Sequence, residues 1–106
     1  MVTFDDFKKL EIRIGKITLA EKVKDANKLV KLEVDLGETK RQLVAGIARY
    51  YNPEELIGKQ IPILVNLEPR AIRGIESQGM LLTAVEGEKP ILLHPDKEVS
   101  PGIRVK

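Results

Sequence analysis

Between Glu11 and Ala48, runs in which apolar residues recur at every second position are separated by turns at Lys24–Asn27 and Gly37–Thr39. A period of two commits this half of the chain to β-strands with one buried face. Ile12 and Ile14 share one parity, Ile17 and Leu19 the other, and the switch falls at Gly15-Lys16. A one-residue slip at a glycine predicts a β-bulge. Residues 11–23 therefore read as one long strand bent at Gly15 and able to serve two sheet surfaces. A five-stranded barrel needs such a corner strand.

The remaining elements follow from turn and cap chemistry. Thr3 and Asp6 have the form of a capping box ahead of a short helix over about residues 4–9. Val30, Leu32, Val34 and Leu36 alternate with polar residues, Gly37-Glu38-Thr39 makes a tight hairpin, and Arg41–Ala48 returns. Asn52 as N-cap, Pro53 at the first helical position and Gly58 as stop bound a second short helix. Gln60–Leu67 and Met80–Val85 read as the fourth and fifth strands. Pro90–Lys106 reads as short extended structure. This order predicts an all-β, five-stranded OB-fold barrel. It has a short N-terminal helix, a short helix between strands three and four, and a C-terminal extension. The apolar extension is expected to cover part of the barrel and support a homodimer.

Composition narrows the functional classes. A chain of 106 residues, 42% hydrophobic, is sized for one domain over 1–106 with a packed core. Cysteine is absent and the start lacks the pattern of a signal peptide, so a cytoplasmic location is expected. The initiating Met and compact end read as a complete chain. The many Lys, Glu and Ile residues would suit a heat-stable protein. A net charge of +2 is only mildly basic, so affinity for nucleic acid must come from local clustering or from two copies acting together. Aromatic residues make up 4% of the chain, and only Tyr50 and Tyr51 are placed to stack on bases. Base–aromatic stacking is the usual grip on single strands, at roughly 1–3 kcal/mol per base. Its scarcity favours a reader of backbone and shape.

Asn66–Leu82 crosses from the fourth strand to the fifth with Arg70, Arg73 and a glycine-flanked polar tip, and it holds no acid–base pair. Such groups suit holding a phosphate backbone and do not suit bond-breaking. The chain resembles the tRNA-binding domain family of methionyl-tRNA synthetase over nearly its whole length. The resemblance rests on several blocks in order. They are Asp6-Phe7 through Arg13-Ile14-Gly15-Lys16-Ile17, then Asn27-Lys28-Leu29, Val34-Asp35-Leu36-Gly37 and Val44-Ala45-Gly46-Ile47-Ala48. Tyr51-Asn52-Pro53-Glu54-Glu55-Leu56-Ile57-Gly58-Lys59, Asn66-Leu67-Glu68-Pro69-Arg70, Ser77-Gln78-Gly79-Met80-Leu81-Leu82 and Leu93-His94-Pro95-Asp96-Lys97 follow. Members often carry lysine where this chain has Glu68 and Ala71. Related proteins include free-standing auxiliary tRNA-binding proteins, the cytokine-like domain of animal multisynthetase complexes and the chaperone CsaA. The Ser-Gln-Gly-Met block, which CsaA-like members usually lack, favours the tRNA-binding branch.

The resemblance implies a non-catalytic tRNA-binding module. It would be the beta subunit or C-terminal domain of methionyl-tRNA synthetase, with tRNA, a second copy and the catalytic subunit as partners. No cofactor or metal is implied, and no residue constellation supports an enzyme by itself. A CsaA-like chaperone for extended polypeptide is the alternative. Arg70 and Arg73 read as phosphate grips or as ordinary solvated loop charges, and the resemblance favours the first. Ser77 and Gln78 read as polar contacts to sugar or phosphate, or as members of a turn that needs Gly79. Asn66 either caps the loop or touches RNA. Lys16, Lys40 and Arg41 either widen a basic stripe or line a solvated face. Tyr50 and Tyr51 read first as a closing pair for the barrel. His94, the only histidine, reads as structural.

Overall fold

The computed structural model describes residues 1–106. Helix α1 (Phe4–Lys8) leads into β1 (Ile12–Lys22), β2 (Val30–Asp35) and β3 (Lys40–Ala45). Helix α2 (Pro53–Leu56) precedes β4 (Gln60–Leu64), and a small hairpin, β5 (Arg70–Ile72) with β6 (Ile75–Ser77), follows. The chain ends with β7 (Met80–Leu81), β8 (Thr83–Glu86), β9 (Lys89–Leu92) and β10 (Arg104–Val105). Five strands run antiparallel in the order β3-β2-β1-β4-β7, forming a nearly closed barrel of the OB type. Its interior is aliphatic: Ile17, Val30, Leu32, Val34, Leu43, Leu56, Ile61 and Ile63 are all fully enclosed. Each such side chain contributes roughly 1.5–3 kcal/mol by leaving water. The capping box at Thr3 and Asp6 is present, with Thr3 Oγ1 accepting from the Asp6 N–H at 3.1 Å.

The predicted bend in β1 lies elsewhere. The register against β2 slips between Ile17 and Leu19, so the bulged residue is Thr18 and not Gly15. After the slip Ala20 packs against the core and Leu19 is left 40% exposed. Gly15 stays in register, opposite Ile61. A Cβ there would lie 2.7 Å from Ile63 Cδ1, so the glycine makes room for the core. The parity change read at Gly15 is real in the sequence. Its cause is different: Ile14 is buried outside the barrel's core cluster, on the stretch of β1 that the tail joins. The Ile14 N–H donates to the Ile103 carbonyl at 3.0 Å, and the Gly102 N–H donates to the Ile14 carbonyl at 2.6 Å. The Gln60 side chain fastens the tail further, donating to the Val99 carbonyl (2.6 Å) and accepting from its N–H (3.0 Å). Thus the C-terminal extension does cover the barrel, and β10 pairs with β1.

Other boundaries are shorter than predicted. The third strand ends at Ala45, where the chain turns and the Ala48 N–H bonds the Lys28 carbonyl at 3.0 Å. The fourth ends at Leu64 rather than Leu67. The fifth divides at Leu82: β7 completes the barrel beside β4, and β8 turns away to form a hairpin with β9. Arg70–Ser77, expected as open loop, is a β-hairpin with Ile72 opposite Ile75. Its two tip residues, Arg73 and Gly74, both have positive φ, at 53° and 78°. Two such residues in succession make the tight turn whose twist matches a hairpin.

The barrel closes along the open edge of β3, and side chains do much of the closing. The Gln78 N–H donates to the Gln42 carbonyl at 2.8 Å, and Gln78 Oε1 accepts from the Gln42 N–H at 3.0 Å. Ser77 Oγ accepts from the Val44 N–H at 3.0 Å and lies 3.1 Å from the Gly79 carbonyl, to which it donates. Arg41 Nη1 spans the same seam, donating to the carbonyls of Val65 (2.5 Å) and Gln78 (3.1 Å). At Gly79 (φ 150°) a Cβ would meet the Leu64 carbonyl at 3.0 Å, so the seam needs a glycine. Ser77→Ala should strand the partly buried Val44 N–H, at about 1–3 kcal/mol. We expect its melting temperature to fall by roughly 4–8 °C per kcal/mol. A thermal melt superimposable on the parent would show that the seam does not depend on this hydroxyl.

Candidate nucleic-acid interface

The seam sets the direction of the β5–β6 hairpin. With Gln78 on Gln42 and Ser77 on Val44, the hairpin lies along β3 and passes its end. Its tip arrives beside Arg49 and the loop between β1 and β2. Arg73 lines a hollow there with Asp25, Ala26, Asn27, Lys28, Leu29 and Arg49. It also lines a second hollow with Glu21, Lys22, Val23, Lys24, Lys31 and Ile75. Arg73 is thus the ridge between two basic depressions. Six cations and two carboxylates line them, a surplus of four positive charges in a chain whose net charge is +2. One pair is neutralised locally, Lys31 with Glu21 at 2.7 Å.

The six arginines divide into two groups. Arg13, Arg41 and Arg104 donate to backbone carbonyls of the fold, and Arg13 also pairs with Glu11 at 2.6 Å. That hydrogen bond holds the Glu11 carboxyl below its ordinary value against the opposing effect of burial, helped by the fields of Arg13, Arg104 and Arg41. Arg49, Arg70 and Arg73 are exposed, and their side chains make no hydrogen bond or ion pair within the molecule. A guanidinium without internal partners keeps its planar fork for an external oxyanion.

The structure separates the residues singled out from the sequence. Arg73 stands at the basic tip. Arg70 is exposed at the hairpin base, opposite Ser77 and about 10 Å from Arg73 along the strand. Ser77, Gln78 and Arg41 use their polar atoms in the seam. Asn66 ties β4 to the start of β1: its Oδ1 accepts from the Glu11 N–H at 2.9 Å, and its Nδ2 donates to the Lys9 carbonyl at 2.7 Å. Lys16 and Lys40 flank Asp35 in the register of β1, β2 and β3, and Lys40 pairs with Glu33 at 3.5 Å. They lie four residues along β2 from Lys31, away from the tip. Tyr51 Oη accepts from the Leu92 N–H at 3.2 Å, and Tyr50 is 41% exposed. His94 Nδ1 lies 2.7 Å from the Gln60 carbonyl, an acceptor, so Nδ1 carries the proton.

Lys22, Lys24, Lys28 and Arg49 were not singled out from the sequence. Lys22, Lys24 and Lys28 had a usable signal, since OB folds bind oligonucleotides with the loops between strands one and two and between four and five. Arg49 had none, because only the hairpin's path along β3 brings Arg73 to it.

Residues 12–104 match the model of the family described as "Putative tRNA binding domain". The chain belongs to that family. It is 52% identical over 105 residues to a methionine–tRNA ligase of Thermococcus kodakarensis, a match that takes in 99% of this chain. The chain spans 14% of that ligase's length. A methionyl-tRNA-synthetase-related protein from Pyrococcus horikoshii superposes with a TM-score of 0.95 at 42% identity, covering 100% of this chain and 98% of that one. The chaperone CsaA from Bacillus anthracis superposes with a TM-score of 0.92 at 38% identity, covering 100% and 99%. No helix is long and apolar enough to cross a membrane.

Proposed function

We propose that this chain is a non-catalytic tRNA-binding domain that holds tRNA through its phosphate backbone at the hairpin tip. The observation that carries the reading is the set of three partnerless arginines, with Arg73 and Arg49 on the basic hollows. A further support is the backbone of Arg73. A left-handed residue with a Cβ costs roughly 1–2 kcal/mol relative to the right-handed form, and asparagine or glycine would relieve it. Strain of this kind is stored where function requires the side chain. Duplex RNA hides its base edges in a deep groove, and the tip has no aromatic ring for stacking, so contour and phosphate are what the surface can grip. Joined to a methionyl-tRNA synthetase as C-terminal domain or beta subunit, in the cytoplasm, the domain would raise the effective concentration of tRNA at the catalytic part.

In this reading Arg70, Arg73, Arg49 and the lysines of the β1–β2 loop meet phosphates. Lys16 and Lys40 form an outlying cationic row. Asn66, Arg41, Ser77 and Gln78 hold the hairpin in position. The likeness to CsaA supports a second reading, a holder of extended polypeptide. An apolar hollow beside the seam, lined by Val44, Ala45, Ile47, Met80, Leu81 and Pro90, would be its groove. Salt separates the two, since phosphate binding weakens steeply with salt and apolar groove binding does not.

We also propose a homodimer through the tail. Phe4, Leu10, Ile103 and Val105 are between 37% and 73% exposed, and Phe4, Leu10 and Val105 line one apolar hollow at α1 and β10. Truncation after Val99 should give monomer or aggregate on a sizing column, and a soluble dimer would contradict the arrangement. For tRNA, the Arg70→Ala, Arg73→Ala double variant should bind every tRNA species more weakly by a similar factor. Its salt slope should fall by about one unit per arginine. Unchanged filter-binding titrations of total tRNA at two salt concentrations would overturn the site.

A further inference from the structure

One carboxylate on the basic hollow is out of place on a surface built for phosphate alone. Asp25 shares that hollow with Lys28, Arg49 and Arg73, yet it pairs with none of them and makes no hydrogen bond. Its charge repels phosphate, so its presence weakens the backbone grip. Asp25 and Arg73 are also the only non-glycine residues with positive φ, at 62° and 53°, and both line this one hollow. The loop that carries Asp25 is fixed. The Val23 N–H bonds the Leu29 carbonyl (3.1 Å), Ala26 bonds Val23 (3.2 Å) and Leu29 bonds Ala26 (3.2 Å). Asp25 is therefore presented from a preformed turn. The hollow measures about 390 Å³, within the range of roughly 300–1,000 Å³ common to small-ligand sites.

A free carboxylate is an acceptor of two parallel hydrogen bonds. Among RNA bases only guanine offers two adjacent donors on its pairing edge, N1–H and the N2 amino group. Adenine and cytosine set one donor beside an acceptor, and uracil flanks its single donor with carbonyls. Unstacked RNA bases are commonly bound through that edge, with arginine planes stacking where aromatic rings are absent. We propose that this hollow takes one unstacked guanine of the bound RNA, with the Asp25 carboxylate accepting from N1–H and the N2 amino group. Arg73 and Arg49 flank the base and its phosphate. The inference rests on the tRNA-binding reading and adds one specific base contact to a grip that otherwise follows contour.

The test uses uridine decamers carrying one central guanosine, inosine or adenosine, with binding read by fluorescence anisotropy. Inosine lacks the N2 amino group and keeps N1–H. The parent protein should prefer guanosine over adenosine by about tenfold, as one bidentate contact allows, with inosine between them. Asp25→Asn keeps a residue that tolerates the left-handed turn. It should bring the three oligonucleotides within twofold of one another, by lowering affinity for the guanosine decamer to that of the adenosine decamer. Equal binding of the three by the parent, or no binding of the guanosine decamer under conditions that saturate tRNA, overturns the guanine site and leaves the phosphate grip intact. Failure of the parent to bind total tRNA overturns the tRNA-binding reading itself.

Discussion

A strand at the margin of a sheet carries unpaired N–H and carbonyl groups that invite another strand. In this molecule the margin of β3 is met from within, by Ser77 Oγ, both the N–H and the side-chain carbonyl of Gln78, and the guanidinium of Arg41 across the gap. Because side chains supply most of these bonds, the segment that closes the barrel need not be a regular strand. It is the stem of a hairpin, and its direction is fixed by the same bonds. The tip then stands over the β1–β2 loop with no long lever of flexible chain behind it. Closure of the core and placement of Arg73 are one event.

The charge distribution follows the same division of labour. At the far end Arg13 and Arg104 bond backbone carbonyls, and Arg13 also holds Glu11 in its ionised form. These cations are committed to joining α1, β1 and the tail. At the tip all the cations but Lys31, which pairs with Glu21, are free of ion pairs, and their local surplus exceeds that of the whole chain. A mildly basic protein can therefore present a strongly positive surface to a polyanion. Grip on a rigid preformed surface suits a folded RNA whose contour is constant among species.

Much of the fold was legible in the sequence because barrel strands write their inward face every second residue. The capping box, the Gly37 hairpin, the Pro53 helix and the covering tail could all be read. The bulge was misplaced by three residues because Gly15 imitates a slip, when it serves the packing of Ile63 and Ile14 is buried outside the core cluster. The hairpin at Arg70–Ser77 escaped because Arg73 stands where asparagine usually marks such a turn. At the site, Arg70 and Arg73 could be seen as a pair of loop cations. The polar residues around them read alike whether they face solvent or a seam. Only long-range bonds, such as that of Ser77 to Val44, tell the two apart.

The central claim is that tRNA meets the hairpin tip and the β1–β2 loop while the seam behind them stays as built. Titration of isotope-labelled protein with tRNA, followed by backbone amide chemical shifts, tests it directly. The account predicts the largest changes at residues 22–29, Arg49, Arg73 and Gly74, with Gln42, Val44 and Ser77 little altered. Changes centred on Glu11, Arg13 and Gly37, with a silent hairpin tip, would contradict it.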